Sequence, residues 1–188
     1  MKPAFSNART IRSPPTAGSG GRTTVFGIGC YGRLSVIAAG APAVEGGITV
    51  APAAFGRFGG DLIATDEGSG RVYAVDPAGQ VATVARPALP AGGDIGVEST
   101  GFVPQRAAAA YLADRFSGGN KHPGDNAILA LSAAQLARAG IRAGDLLIAT
   151  EGGARTIDIR CAAACTIRSV AAGPAIAHAE GHVAFASS

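Results

Sequence analysis

An all-β chain of short antiparallel strands, grouped as β-propeller blades in an incomplete ring with one short inserted helix, is what three features predict. The first is glycine: 28 of 188 residues, about twice the usual share of roughly 7%, set between short apolar runs rather than pooled in one tract. The second is the form of those runs, which are β-branched and broken by turn chemistry such as Ser69-Gly70 and Asp76-Pro77-Ala78-Gly79.

The third is an internal repeat. Asp61-Leu62-Ile63-Ala64-Thr65-Asp66-Glu67, then Gly70-Arg71-Val72-Tyr73-Ala74-Val75 and Val81-Ala82-Thr83-Val84, has a second copy. That copy is Asp145-Leu146-Leu147-Ile148-Ala149-Thr150-Glu151, then Ala154-Arg155-Thr156-Ile157-Asp158-Ile159 and Cys165-Thr166-Ile167-Arg168. Glu67 and Glu151 are 84 positions apart, about twice the 40–45 residues of a four-stranded blade. A weaker blade is expected between them, at Ala110-Tyr111-Leu112-Ala113-Asp114-Arg115 and Ala127-Ile128-Leu129-Ala130-Leu131.

Taken in chain order, residues 1–22 carry Lys2, Arg9, Arg12 and Arg22 without an acid and are rich in Ser, Gly and Pro. They predict a disordered basic tail, leaving residues 23–188 as the domain. Within that domain twelve basic residues face thirteen acidic ones. Without clustered Lys/Arg to displace counterions from phosphates, nucleic-acid binding is not expected. Neither a signal-peptide core nor a membrane-spanning run is visible. Strands begin at Thr23-Thr24-Val25-Phe26 and Leu34-Ser35-Val36-Ile37. Between them Gly27-Ile28-Gly29-Cys30-Tyr31-Gly32 has the spacing of a dinucleotide fingerprint, but the β-like run that follows is too short for a crossover helix, so a glycine-rich hairpin is expected.

A helix is predicted in one place. Ser132 and Gln135 have capping-box spacing, and Gly140 suits a left-handed stop after Ala139. Cys161 and Cys165 flank three alanines between two strands, where a bridge across a hairpin end and two free thiols are both open readings; Cys30 is left over. No Gly-x-Ser-x-Gly elbow points to a serine hydrolase.

Acids recur ahead of three strands: Glu45 before Ile48-Thr49-Val50, Glu98 before Gly101-Phe102-Val103, and Glu180 before Val183-Ala184-Phe185. In a propeller such strands line the central channel, so the three carboxylates would face one axis and supply oxygen ligands to a hard cation such as Ca²⁺. The competing reading is that each acid caps backbone amides or pairs with an arginine. His182 and nearby His178 are candidates for a general base or a cation ligand, whereas His122 reads as part of an exposed loop.

The run Gly60-Asp61-Leu62-Ile63-Ala64-Thr65-Asp66-Glu67, followed by Gly70-Arg71-Val72-Tyr73-Ala74-Val75-Asp76-Pro77 and its copies, resembles blades of the six-bladed propeller superfamily that includes the NHL-repeat, senescence-marker-protein-30 and gluconolactonase-like proteins. The resemblance spans residues 23 to 185. It implies a partial propeller, a fragment of a larger secreted one, with a divalent cation at its centre. Two functions follow as expectations. One is a recognition domain that binds a small molecule, carbohydrate or protein at the propeller face and self-associates through open strand edges. The other is a lactonase-like hydrolase with Glu45, Glu98 and Glu180 as Ca²⁺ ligands and His182 or Asp114 as base.

Overall fold

A computed structural model of the chain describes residues 8–11 and 22–187. Apart from Ala8–Ile11 and Arg22, the predicted tail lies outside the described residues, as does the side chain of Glu45.

Fourteen strands, one short α-helix and a single 3-10 turn at Gly56–Phe58 are described. Strands β1 (Ala8–Ile11), β2 (Arg22–Ile28) and β3 (Leu34–Pro42) form a three-stranded antiparallel sheet. The glycine-rich run is the expected hairpin: Ile28 pairs with Leu34, Gly29 N–H donates to the Arg33 carbonyl at 2.8 Å, and Gly32 sits at φ +79°, where only glycine is unstrained. Next, β4 (Glu45–Val50), β5 (Leu62–Asp66), β6 (Arg71–Val75) and β7 (Val81–Ala85) form a four-stranded antiparallel meander. The other seven are β8 (Val97–Phe102), β9 (Ala107–Asp114), β10 (Ile128–Ser132), β11 (Leu146–Thr150), β12 (Thr156–Cys161), β13 (Cys165–Ala171) and β14 (Ala179–Ser187). They make one continuous sheet in the order β10-β9-β14-β8-β11-β12-β13.

The duplicated runs fold alike, as β5-β6-β7 and β11-β12-β13. Both leading strands are buried along their whole length, which is why they read as continuous apolar runs instead of alternating ones. Period-2 geometry then sends neighbouring side chains into different cores. Leu146 and Ile148 of β11 join Ile63, Val72, Phe55 and Ile159 in one cluster, while Leu147 and Ala149 join Leu112, Leu136 and Val183 in a second. On β5, Ile63 packs toward the seven-stranded sheet, and Leu62 packs with Val25 and Ala41 of the three-stranded one. The four-stranded meander is therefore the middle layer.

The helix is α1 (Ala133–Arg138). Ser132 Oγ accepts from the Gln135 N–H at 3.3 Å, the Gln135 side chain accepts from the Ser132 N–H at 2.9 Å, and Gly140 adopts φ +70°. The Gly140 carbonyl then accepts from Arg160 and Arg168, which also bind Asp145 and Asp158 and so tie the helix end to β12 and β13. Cys161 and Cys165 are directly opposed across the β12–β13 hairpin, with Cα atoms 4.0 Å apart, and form a disulfide; Cys30 is exposed.

The all-β character and the lone helix agree with expectation; the propeller does not. Successive blades would be separate sheets that pack face to face. Here β14 is hydrogen-bonded to β8 on one side and to β9 on the other, so strands that a propeller would divide between blades form one half-barrel sheet. The physical cause is glycine. A Cβ on Gly101 of β8 would lie 2.3 Å from the Val183 carbonyl of β14, so the missing side chain is what allows the two backbones to meet. A six-bladed propeller, whole or partial, is thus not supported, nor is its ring of blades.

Candidate metal centre

Four glutamates and one histidine meet where the two repeats, β8 and β14 come together. Glu67 and Glu151 are the first residues after β5 and β11. The segment before β8 joins them: Gly92 N–H donates to the Glu67 carbonyl at 3.0 Å, and Glu151 N–H donates to the Gly96 carbonyl at 2.7 Å. A Cβ on Gly96 would sit 2.3 Å from the Glu67 carbonyl, so only glycine permits this approach. The turn under Glu67 is fixed by Asp66, which accepts from the Ser69 N–H at 3.2 Å and from its hydroxyl. Glu98 follows on β8, where its carbonyl accepts from Thr65 Oγ1 at 3.2 Å. Glu180 arrives on β14, anchored by the Ala179 N–H, which donates to the Glu151 carbonyl at 2.9 Å.

His178 has no exposed surface and is held at every polar atom. Its N–H donates to Asp114 Oδ1 at 2.8 Å, and its carbonyl accepts from the Arg115 N–H at 2.9 Å. Nδ1 lies 2.7 Å from the His122 carbonyl, which can only accept. The proton therefore belongs on Nδ1, and the Asn120 amide beside it, also at 2.7 Å, takes whichever orientation that proton allows. Nε2 on the other side of the ring faces Glu151 and Glu180 Oε1, the latter 2.8 Å away. An imidazole whose Nδ1–H is fixed by a backbone carbonyl while Nε2 faces carboxylates has the arrangement of a metal-ligating histidine.

The electrostatics agree with this reading. Glu67, Glu98 and Glu151 are each more than nine-tenths buried, and Glu180 Oε1 also meets Arg115 at 2.6 Å. Burial, the hydrogen bond that the protonated Glu151 carboxyl donates to Glu67, and the charges of Glu67, Glu180 and Glu98 push the Glu151 pKa up to about 9. Like-charged carboxylates out of water must be neutralised by protons or by a cation. Glu67 Oε1 is buried and makes no hydrogen bond. One ligand atom each from Glu151, His178 and Glu180 falls within a 4.8 Å span, so a single ion can touch all three.

Of the residues singled out from sequence, Glu98 and Glu180 lie in this cluster, with His178 between Glu151 and Glu180. Glu45 opens β4 with its backbone opposite Thr65, and its side chain lies outside the described part. Asp114 is buried behind His178, holding that residue's amide and hydrogen-bonding the Asp125 carboxyl. His182 is exposed on β14, opposite Thr100, and is outside the cluster. Glu67 and Glu151 were not singled out as ligands. The signal for them was the repeat, which sets a glutamate directly after each Ile-Ala-Thr strand.

No family of known proteins, no curated protein and no solved structure matches this chain. Fold and cluster together define an all-β chain with a buried carboxylate–imidazole centre.

Proposed function

We propose that the chain is a divalent-cation-binding domain, with Glu151, His178 and Glu180 as ligands and Glu67 and Glu98 completing the anionic surround. What carries the reading is the convergence of those carboxylates on a buried histidine whose Nε2 faces two of them, with one ligand atom from each of the three residues inside a 4.8 Å span. Among the described residues the arginine that reaches the cluster is Arg115, which meets Glu180 from an exposed position. An all-oxygen site would favour Ca²⁺. The imidazole moves the preference toward Mn²⁺ or Zn²⁺, which accept mixed nitrogen and oxygen ligands. A cation held there polarises a bound carbonyl or phosphoryl oxygen, or activates a water, which supports cation-dependent hydrolysis over cation-free recognition.

Thermal unfolding of metal-stripped protein with Mn²⁺, Zn²⁺ or Ca²⁺ tests this. At 100 times its Kd a ligand specific for the folded state stabilises by about 2.7 kcal/mol, worth roughly 5–10 °C at this size. The Mn²⁺ or Zn²⁺ shift should exceed that from Ca²⁺ and vanish in His178→Gln. Equal shifts in the variant would remove the reading.

A further inference from the structure

The two segments that build the centre also line a cavity of about 480 Å³, a size common for small-molecule sites, about 300–1,000 Å³. One is Gly152-Gly153, directly after Glu151; the other is Lys121-His122, whose carbonyl orients His178. The His122 ring is fixed there: Nδ1–H donates to the Ala175 carbonyl at 2.6 Å, and the ring rests on Gly152, where a Cβ would come within 2.8 Å of Cδ2. Ile95 and small apolar residues supply the walls. The charged lining residues are Lys121 and Arg155, both exposed, with no acid among them. Among the described residues neither cation forms a salt bridge, unlike Arg115, Arg160 and Arg168, each of which holds a carboxylate.

Two unengaged cations over an apolar-walled cavity are complementary to a ligand with an anionic end and an apolar body. The planar guanidinium suits the paired oxygens of a carboxylate or phosphate, and the ammonium adds a point charge. We propose that this cavity binds a small organic oxyanion, its charged end between Lys121 and Arg155 and its apolar body against the Ile95 side. The proposal goes beyond cation binding and stands on a separate set of side chains.

Calorimetric titration of metal-stripped protein with phenyl phosphate, benzoate and neutral benzyl alcohol tests it. At least one anion should bind about tenfold or more tightly than the alcohol, and whichever of the two binds tighter identifies the oxyanion. A Lys121→Ala/Arg155→Ala variant should lose that preference while keeping wild-type Mn²⁺ affinity. Equal affinity for the alcohol, unchanged anion binding in the variant, or no binding of any probe at ~10 mM would overturn the proposal. Anion binding without Mn²⁺ binding would instead remove the cation reading and leave this one standing.

Discussion

At the scale of single residues, Glu151 is the group whose behaviour separates a cation centre from an ordinary core acid. Its carboxyl rises on folding from 4.5 to about 9, so the folded protein holds the proton better than the unfolded chain does. That contribution to stability is complete below about pH 4.5 and is lost as pH climbs toward 9. The metal-free protein should accordingly lose stability from pH 6 to pH 9, and Glu151→Gln, which mimics the protonated acid, should lose less. By pH 9 the variant is expected to melt a few degrees above wild type, the equivalent of roughly 1–2 kcal/mol; parallel melting curves across that range would rule out the shift. A cation must displace the same proton, so binding at pH 7 should release about one proton per ion. Titrations in buffers of different ionisation enthalpy read this directly, and the release should disappear in Glu151→Gln. Sequence singled out Glu98 and Glu180 because acids recur ahead of strands, and His178 because, with His182, it flanks Glu180. It left Glu67 and Glu151 as markers of the repeat, since spacing alone does not show that Gly96 lets the two turns close on each other.

At the scale of elements, the strands of the repeat were the most legible part of the chain. Continuous Leu/Ile/Val runs between glycines are read locally, and the register observed for β5-β6-β7 and β11-β12-β13 follows them. So was α1, whose cap lies entirely in Ser132, Gln135 and Gly140. The contact of β14 with β8 was not legible, for it depends on what Gly101 lacks, and a glycine in a strand reads equally as a bulge or a turn. Replacing Gly101 with Ala puts a methyl group 2.3 Å from the Val183 carbonyl. It should cost about 1–3 kcal/mol and loosen β14, seen as faster amide exchange there than in β5 and β6. Wild-type protection would mean that the close approach is dispensable. Leu146 tests the other face of the same sheet. It is fully buried among Phe55, Ile63 and Ile159, and Leu146→Ala should cost about 2–5 kcal/mol in denaturant unfolding.

At the scale of the whole molecule, three separate sheets pack through buried side chains on both faces of the central meander, and the acids collect where β8, β11 and β14 meet the turn after β5. The fold stabilises a cluster that would repel itself, and a bound cation would turn that electrostatic cost into affinity. The repeat suggested a ring of blades because its period of 84 positions is twice a blade length; period reports how strands recur, not which strands hydrogen-bond across the boundary. Insertion of β9 and β10 between β8 and β11, and the return of β14 into the gap, joined the strands into one sheet. The most direct measurement of the centre is Mn²⁺ stoichiometry on the metal-stripped full chain, by titration calorimetry with electron paramagnetic resonance of the free ion. One Mn²⁺ per chain is expected, lost in Glu151→Gln/His178→Gln and retained in His182→Gln. No binding at millimolar Mn²⁺, or binding that survives loss of Glu151 and His178, would contradict a carboxylate–imidazole metal centre.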